Sequence, residues 1–274
     1  MVDIKLIKLQ MGVILSTKEL NVLMLGDAMG NPGLEDIFLK LPNLKKKEKI
    51  HLAIVNGENS NDGFGITEAN IKSYRQAGID VITSGNHIWA TKDVEDLLTD
   101  FNFLLRPANY SEAVGKGYWI GEIEGVKVGV VNLIGRYYMI PIDCPFQTLN
   151  KLLKNELKNC QVIIVDFHAE FMNEKISLAF DFDGRVSLVA GTHTHCQTAD
   201  EKILPKGTGY ITDLGMCGGI DSVIGMDKSA ALEKISSQTM VQFVPSRDTL
   251  RIQGIIATID VETKKTVCIK RVNY

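Results

Sequence analysis

Two of the chain's five histidines, His193 and His195, stand one residue apart in "AGTHTHCQTAD", residues 190–200. Imidazole is a metal ligand and a proton carrier near neutral pH, so such a pair suggests a built site. Side chains at i and i+2 share one side of an extended backbone but lie about 200° apart on a helix. If "SLVAG" before them is a strand, both rings leave its end in one direction. The other polar residues of interest recur in the same setting: Asp27, Glu58 with Asn59, Asn86 with His87, and His168 each close an apolar run. Only His51 stands at a strand start. Singly, each has an ordinary reading: an aspartate or asparagine after a strand caps a turn, His168 is a hydrogen-bonded core histidine, and Asp166 could be the functional acid in its place. Four histidines at strand ends are not what independent structural roles predict.

Carboxylate, amide and imidazole together suit Mn, Fe or Zn, and no neighbouring cysteine pair marks a structural zinc. Two ions about 3.5–4 Å apart can hold a bridging hydroxide and clamp the oxygens of a phosphoryl group during in-line displacement. One carboxylate must bridge them. Glu58 is the choice, because Asn59 beside it can add an amide oxygen, and the His193/His195 pair can give one ring to each ion.

Delivering these groups to one place requires strands whose carboxyl ends share a rim, as in open α/β sheets. Short runs rich in Val, Ile and Leu fit strands buried on both faces: "NVLML", "HLAIV", "DVITS", "VKVGVVNLI", "QVIIVDF", "RVSLVAG" and "TGYITDLG". The spacing predicts helices over 67–77, capped by Thr67 and stopped by Gly78, over 91–101, capped by Thr91, and from about Pro145 to Lys158. Near the end, "RIQGIIATIDVETKKTVCIKRV" reads as two strands joined by a turn around Thr263 to Lys265. The run "KKKEK" reads as a solvated loop. Residues 1–20 read as an N-terminal extension and 21–274 as one α/β domain with a mixed sheet or two stacked sheets.

With 274 residues, 45% of them hydrophobic, the chain can bury a substantial core. A net charge of −3 lacks the basic excess that binding to long nucleic acid usually needs, so a small substrate is expected. Five scattered cysteines, with no CxxC pair and no secretory signal, point to reduced thiols in the cytoplasm. No stretch approaches 18 apolar residues, so no membrane span is expected. A GxGxxG between the first strand and helix is absent, which argues against a dinucleotide-binding enzyme.

In order and spacing, "GDAMGNPG", "NGENSNDGFGIT", "SGNHIW", "DFHAE", "GTHTHCQTAD" and "GMCGGIDSVIGMD" resemble the YmdB-like bacterial metallophosphoesterases, a branch of the calcineurin-like superfamily. The resemblance spans about residues 21–272. It implies a four-layer α/β/β/α sandwich with two mixed sheets flanked by helices. It also implies two divalent or trivalent metal ions per chain, iron or manganese with zinc possible, and a phosphodiesterase acting on small cyclic nucleotides, usually 2′,3′-cyclic, through a metal-bridging hydroxide. By position, one ion would be held by Asp27, Glu58, Asn59 and His195, and the other by Glu58, Asn86, His168 and His193. His87 would steady the phosphate and protonate the leaving oxygen. Met29 stands where many superfamily members carry a histidine, with Asn59 as the substitute, and Asn31 and Ala90 depart from the family at positions that bear on substrate contacts. These two changes motivate the alternative of a regulatory metal- or nucleotide-binding protein with vestigial activity. A homo-oligomer is compatible with the family.

Three smaller expectations complete the reading. Cys196 points away from His195 as a packed thiol. The segment Asn61 to Gly65 offers backbone amides to an anion, moves as a flap, or is a plain turn. The loop 218–227 could meet the phosphate through Ser222 or face a neighbouring chain.

Overall fold

The computed structural model describes residues 18–274. Of the expected N-terminal extension, residues 1–17 lie outside the described residues, and the first strand already begins at Glu19. One six-stranded sheet contains β1 (Glu19–Ala28), β2 (Leu52–Asn56), β3 (Val81–Thr83), β10 (Met216–Gly219), β11 (Leu250–Asp260) and β12 (Lys265–Asn273), in the order β12-β11-β10-β1-β2-β3. The second contains β4 (Tyr118–Ile123), β5 (Val126–Ile134), β6 (Val162–His168), β7 (Leu188–Thr192), β8 (Lys202–Ile203) and β9 (Gly209–Ile211), in the order β4-β5-β6-β7-β9-β8. Both are mixed: β1, β2 and β3 run parallel, as do β5, β6, β7 and β9, while β11 and β4 run against their neighbours.

Among the described residues six α-helices complete the layers: α1 (Gly30–Glu48), α2 (Glu68–Ala77), α3 (Val94–Asp100), α4 (Pro145–Lys154), α5 (Met172–Asp181) and α6 (Lys228–Ser237). Strand β1 shows how alternation makes a sandwich. Its Leu20, Val22 and Met24 enter an apolar layer shared with Val128, Val130 and Ile164 of the other sheet. Its Leu23 and Leu25 face the opposite way, onto Ile37 and Leu41 of α1 and Tyr74 of α2. A third cluster packs Leu149 of α4 and Leu178 of α5 on Val165 and Phe167 of β6. Three apolar layers between four structural layers give the α/β/β/α sandwich expected from the resemblance. Among the described residues no helix is long and apolar enough to cross a membrane.

Several elements depart from the sequence reading. The "KKKEK" run is not a loop but the end of α1, where Lys45, Lys46 and Lys47 occupy the last turn and complement the helix dipole. That helix carries Pro42 in its interior, which normally disfavours helix; burial of Leu34, Ile37, Leu41 and Leu44 against the sheet overrides it. Helix α2 has the expected Thr67 cap, in a reciprocal pair with Asn70, and ends at Gly78 with φ +96°. Helix α3 starts at Val94, not at 91, because Asn86–Ala90 forms a short 3-10 helix that Thr91 closes, and the Thr91 hydroxyl bonds Ile66 O instead of capping. Helix α4 stops at Lys154, short of 158.

The parallel strands send their carboxyl ends, at Asp27, Asn56 and Thr83 in one sheet and Ile134, His168 and Thr192 in the other, toward a common rim. The approach of β1 there is close. A Cβ on Gly26 would stand 2.0 Å from Gly215 O, and the next residue, Asp27, donates its N–H to that same carbonyl at 3.2 Å. The Gly26→Ala substitution is expected to lower stability by about 1–3 kcal/mol, read as a lower midpoint in chemical denaturation.

Candidate metal centre

Asp27 closes β1 and is fully buried. Its Oδ2 accepts the His193 backbone N–H at 3.1 Å. Its Oδ1 has no hydrogen-bond partner among the described residues, yet His195 Nε2 and His168 Nδ1 stand 3.7 and 3.8 Å away. Asn59 repeats the situation: Nδ2 donates to Gly63 O at 2.9 Å, which fixes the amide's orientation and leaves a buried, partnerless Oδ1. Buried oxygens are rarely left without partners. Both therefore fit a cation.

The second cluster centres on His168. Its Nε2 meets Glu58 Oε1 at 2.9 Å, His193 Nδ1 at 3.0 Å and Asn86 Oδ1 at 3.2 Å. A single N–H cannot satisfy three acceptors at once. Ligand atoms about 2.0–2.2 Å from one ion lie roughly 3 Å apart along an octahedral edge, so these spacings match donors to a shared ion. Ligand atoms of Glu58, His168 and His193 all fall within 4.8 Å of one another.

Burial and neighbouring charge pull the titration of these groups in opposite directions. Burial alone would raise Glu58, but the charged His168 ring draws it down to about 2. Burial alone would discharge His168, but Glu58 holds its pKa up at about 9. Burial, reinforced by that charged ring, pushes His193 down to about 3. Asp27 is raised above the ordinary carboxylate range, by burial first. Burial also lowers His87.

Each side chain is held from behind. His168 Nδ1 bonds Thr192 Oγ1 at 2.9 Å, and that hydroxyl donates to Asp166 Oδ1 at 2.8 Å. Asp166 also accepts from Thr83 across the sheets, so it supports the site from beneath instead of replacing His168. His193 Nε2 faces Glu170 Oε2 at 3.1 Å, and His195 Nδ1 donates to Ile224 O at 2.8 Å. The outer nitrogen of each imidazole is thus engaged, leaving the inner one as a lone-pair donor. Asn86 and His87 are placed by Asn132 of β5, whose amide pairs with both Ser84 N and Ser84 O at 2.8 Å. Gly85 allows His168 to close in, since a Cβ there would lie 2.1 Å from its Cδ2. The His87 N–H donates to Glu58 Oε2 at 2.8 Å, and its ring lies edge-on to Phe64.

All eight residues singled out by sequence therefore lie in one basin, with His51 apart, accepting the Asn21 N–H at 2.9 Å. The route taken by the paired histidines differs from the expectation. Strand β7 ends at Thr192, and His193 and His195 adopt φ of +105° and +62°, so the backbone is not extended. This left-handed path leaves Cys196 exposed, not packed. The Asn61 to Gly65 segment is a turn whose Asn61, Gly63 and Phe64 amides bond within it or to Asn59. Ser222 is engaged inside its own loop, donating to Gly219 O at 2.6 Å and accepting from Gly225 N at 2.9 Å.

Sequence reasoning missed the residues that brace the His193–His195 loop. Lys175 Nζ and Asp213 Oδ2 form a buried ion pair at 2.7 Å, and the same carboxylate accepts from Thr194 N at 3.1 Å and Gly215 N at 2.9 Å. A lysine and an aspartate 38 residues apart carry no local signal; only "TDLG" beside a strand hinted at a strand-end carboxylate. Removing one partner of a buried pair costs about 3–5 kcal/mol. Lys175→Met is accordingly expected to lose stability of that order and to retain less metal per chain, measured by calorimetric unfolding and elemental analysis on the same preparation.

A sequence model of the YmdB-like protein family matches residues 23–272. The 2′,3′-cyclic-nucleotide 2′-phosphodiesterase of Bacillus subtilis is 42% identical over 92% of this chain and 96% of its own length. A structure described as a novel phosphatase from Mycoplasma pneumoniae superimposes with a TM-score of 0.88 at 34% identity, covering 94% of each chain. The Haemophilus influenzae NAD nucleotidase, at 17% identity and a TM-score of 0.59 over 93% of this chain and 49% of that one, shares the fold.

Proposed function

The chain belongs to the YmdB-like protein family and is an enzyme of the metallophosphoesterase type, and on that premise we propose that it hydrolyses small cyclic nucleotides, 2′,3′-cyclic ones first, at a dinuclear metal centre. The carrying observation is the pair of buried oxygens without partners among the described residues, Asp27 Oδ1 and Asn59 Oδ1, together with a ring nitrogen, His168 Nε2, that meets three lone-pair donors. The substrate class is the one in the name of the Bacillus relative.

Asp27, Glu58, Asn59 and His195 would hold one ion, and Glu58, Asn86, His168 and His193 the other, with Glu58 shared. When bound, the two ions supply Lewis-acid charge, acidifying a water and offsetting charge on the phosphoryl oxygens. The ligand set accepts iron, manganese or zinc, so metal identity follows availability as much as affinity.

The chain's own residues orient and protonate. Glu58 ties the two halves of the site together, because Oε1 faces His168 while Oε2 fixes the His87 backbone. His87 is not among the proposed ligands and lines the cavity beside Asn59 and His195. Hydrolysis of a 2′,3′-cyclic phosphate joins water's oxygen to phosphorus and breaks the P–O2′ bond; His87 would hand its proton to the departing 2′-oxygen. General acid catalysis of this kind contributes about 10²- to 10⁴-fold.

Wild type, Glu58→Ala and His87→Ala separate the roles. We expect two metals per chain and turnover of bis-p-nitrophenyl phosphate and 2′,3′-cyclic AMP for wild type, with both metals and turnover lost in Glu58→Ala. His87→Ala should keep its metals while kcat on 2′,3′-cyclic AMP falls by about 10²-fold or more. Metal without turnover in wild type, or an unchanged kcat on 2′,3′-cyclic AMP in His87→Ala, would refute the assignment.

A further inference from the structure

One side of the candidate centre opens into a cavity of about 310 Å³, and its walls differ sharply in character. Asn59, His87 and His195 form the face toward the centre. Phe64, Phe243, Ile224, Ile235, Met226 and Met29 supply an apolar remainder. Among the described residues Lys234 is the single charged residue on it apart from the histidines, and no carboxylate lines the space. Phe64 stands edge-on to both His87, with ring centroids 4.9 Å apart, and Phe243, at 5.3 Å, so an aromatic wall runs outward from the proposed proton donor.

The walls are fastened to the centre. The turn bearing Phe64 is held by the Asn59 Nδ2 bond to Gly63 O, and the loop bearing Ile224 by the His195 Nδ1 bond to Ile224 O. Groups that would hold metal on one side therefore set the position of the apolar walls on the other. Met29 is 1% exposed and contributes a thioether where an imidazole would have made the floor polar.

Resting on the phosphodiesterase reading above, we propose that this cavity is the subsite for the nucleobase of the substrate, gripping its faces against Phe64, Phe243, Ile224 and Ile235. A phosphate at the centre has its sugar and base directed somewhere adjacent, and this space adjoins His87, the proposed donor to the leaving sugar oxygen. Ligand cavities run from about 300 Å³ upward and are mostly apolar with a few fixed polar groups, and this one has the size and lining for a heterocycle. Faces are gripped here, but edges are not read: beyond Lys234 and the three groups turned toward the phosphate, no side chain offers a fixed hydrogen-bond pattern. The site should therefore require a base while discriminating weakly among bases. Stacking against aromatic side chains is tolerant in this way, because every base has a π face.

The test compares 2′,3′-cyclic AMP and 2′,3′-cyclic CMP with the base-free analogue methyl riboside 2′,3′-cyclic phosphate, on metal-loaded wild type, Phe243→Ala and Ile235→Ala. In wild type, KM for both nucleotides should lie about tenfold or more below that of the analogue, with the two nucleotides close to each other. Phe243→Ala should erase most of that advantage with kcat for the nucleotides little changed, and Phe243→Leu should restore part of it. Ile235 is 70% exposed, so its variant cannot fail merely by unfolding a core.

Calorimetric binding of adenosine 3′-phosphate against methyl riboside 3-phosphate gives a readout independent of turnover. Equal KM values for nucleotide and base-free diester, or equal loss for both in Phe243→Ala, would overturn the subsite while leaving the phosphodiesterase intact. No turnover of either diester, with adenosine 3′-phosphate still preferred in binding and the preference lost in Phe243→Ala, would sink the activity and keep the subsite.

Discussion

Two carboxylates, Asp27 and Glu58, are withdrawn from water at the seam between two sheets, and the architecture follows from making that tolerable. An isolated buried carboxylate is costly by many kcal/mol and survives only when paired or bound to metal. Glu58 faces His168 and holds its pKa up at about 9. Two defects remain among the described residues: Asp27 Oδ1 has no partner, and His168 Nε2 is crowded against three acceptors. One positive centre on each side of Glu58 would resolve both defects, which is why the donor set is more coherent as a ligand sphere than as a hydrogen-bond network.

Such a site cannot belong to one sheet. Asp27, Glu58, Asn59 and Asn86 follow strands of the first, and His168, His193 and His195 those of the second. The sheets meet through packing of β-branched and Leu side chains, which is non-directional and does not by itself fix the rims to a few tenths of an ångström. Directional bonds do so instead: Asn132 clamps Ser84, Thr83 reaches Asp166, and Asp27 holds the His193 backbone. The Lys175–Asp213 pair serves the same end from beside the second sheet, with Lys175 on α5 and Asp213 just past β9, fixing Thr194 between the two histidines. Polar groups buried for positioning instead of stability are expected where a first set of ligands depends on a second.

That division explains what could be read from the sequence. The ligand candidates were legible because each is a polar residue ending a run of apolar ones, a local signal that strand placement converts into convergence. Strands such as Val126–Ile134 were legible for the same reason, as short runs rich in valine and isoleucine. The helix Gly30–Glu48 was not, since Pro42 and the lysine run argue locally against it while its stability comes from Leu34, Ile37 and Leu41 meeting a sheet that the sequence does not display. The positive φ values of His193 and His195 were hidden too: no glycine announces them, and they are imposed by the bonds that hold Thr194 N and His193 N. Asn132 and Lys175 act only through partners distant in sequence, so nothing near them marks their role.

Charge accounts for how a chain with a net −3 can present a site suited to anions. Of the seven proposed ligand residues only Asp27 and Glu58 are anionic; Asn59, Asn86 and the three histidines would coordinate as neutral groups. Two divalent ions would therefore exceed the charge of their ligands and leave a local positive excess for a phosphodiester to neutralise. Amides in place of carboxylates at Asn59 and Asn86 would thus keep oxygen coordination without cancelling the field. The apolar wall of Phe64, Ile224 and Met29 on the open side acts in the same direction. Its low polarity on one flank would leave such charge less screened than water would.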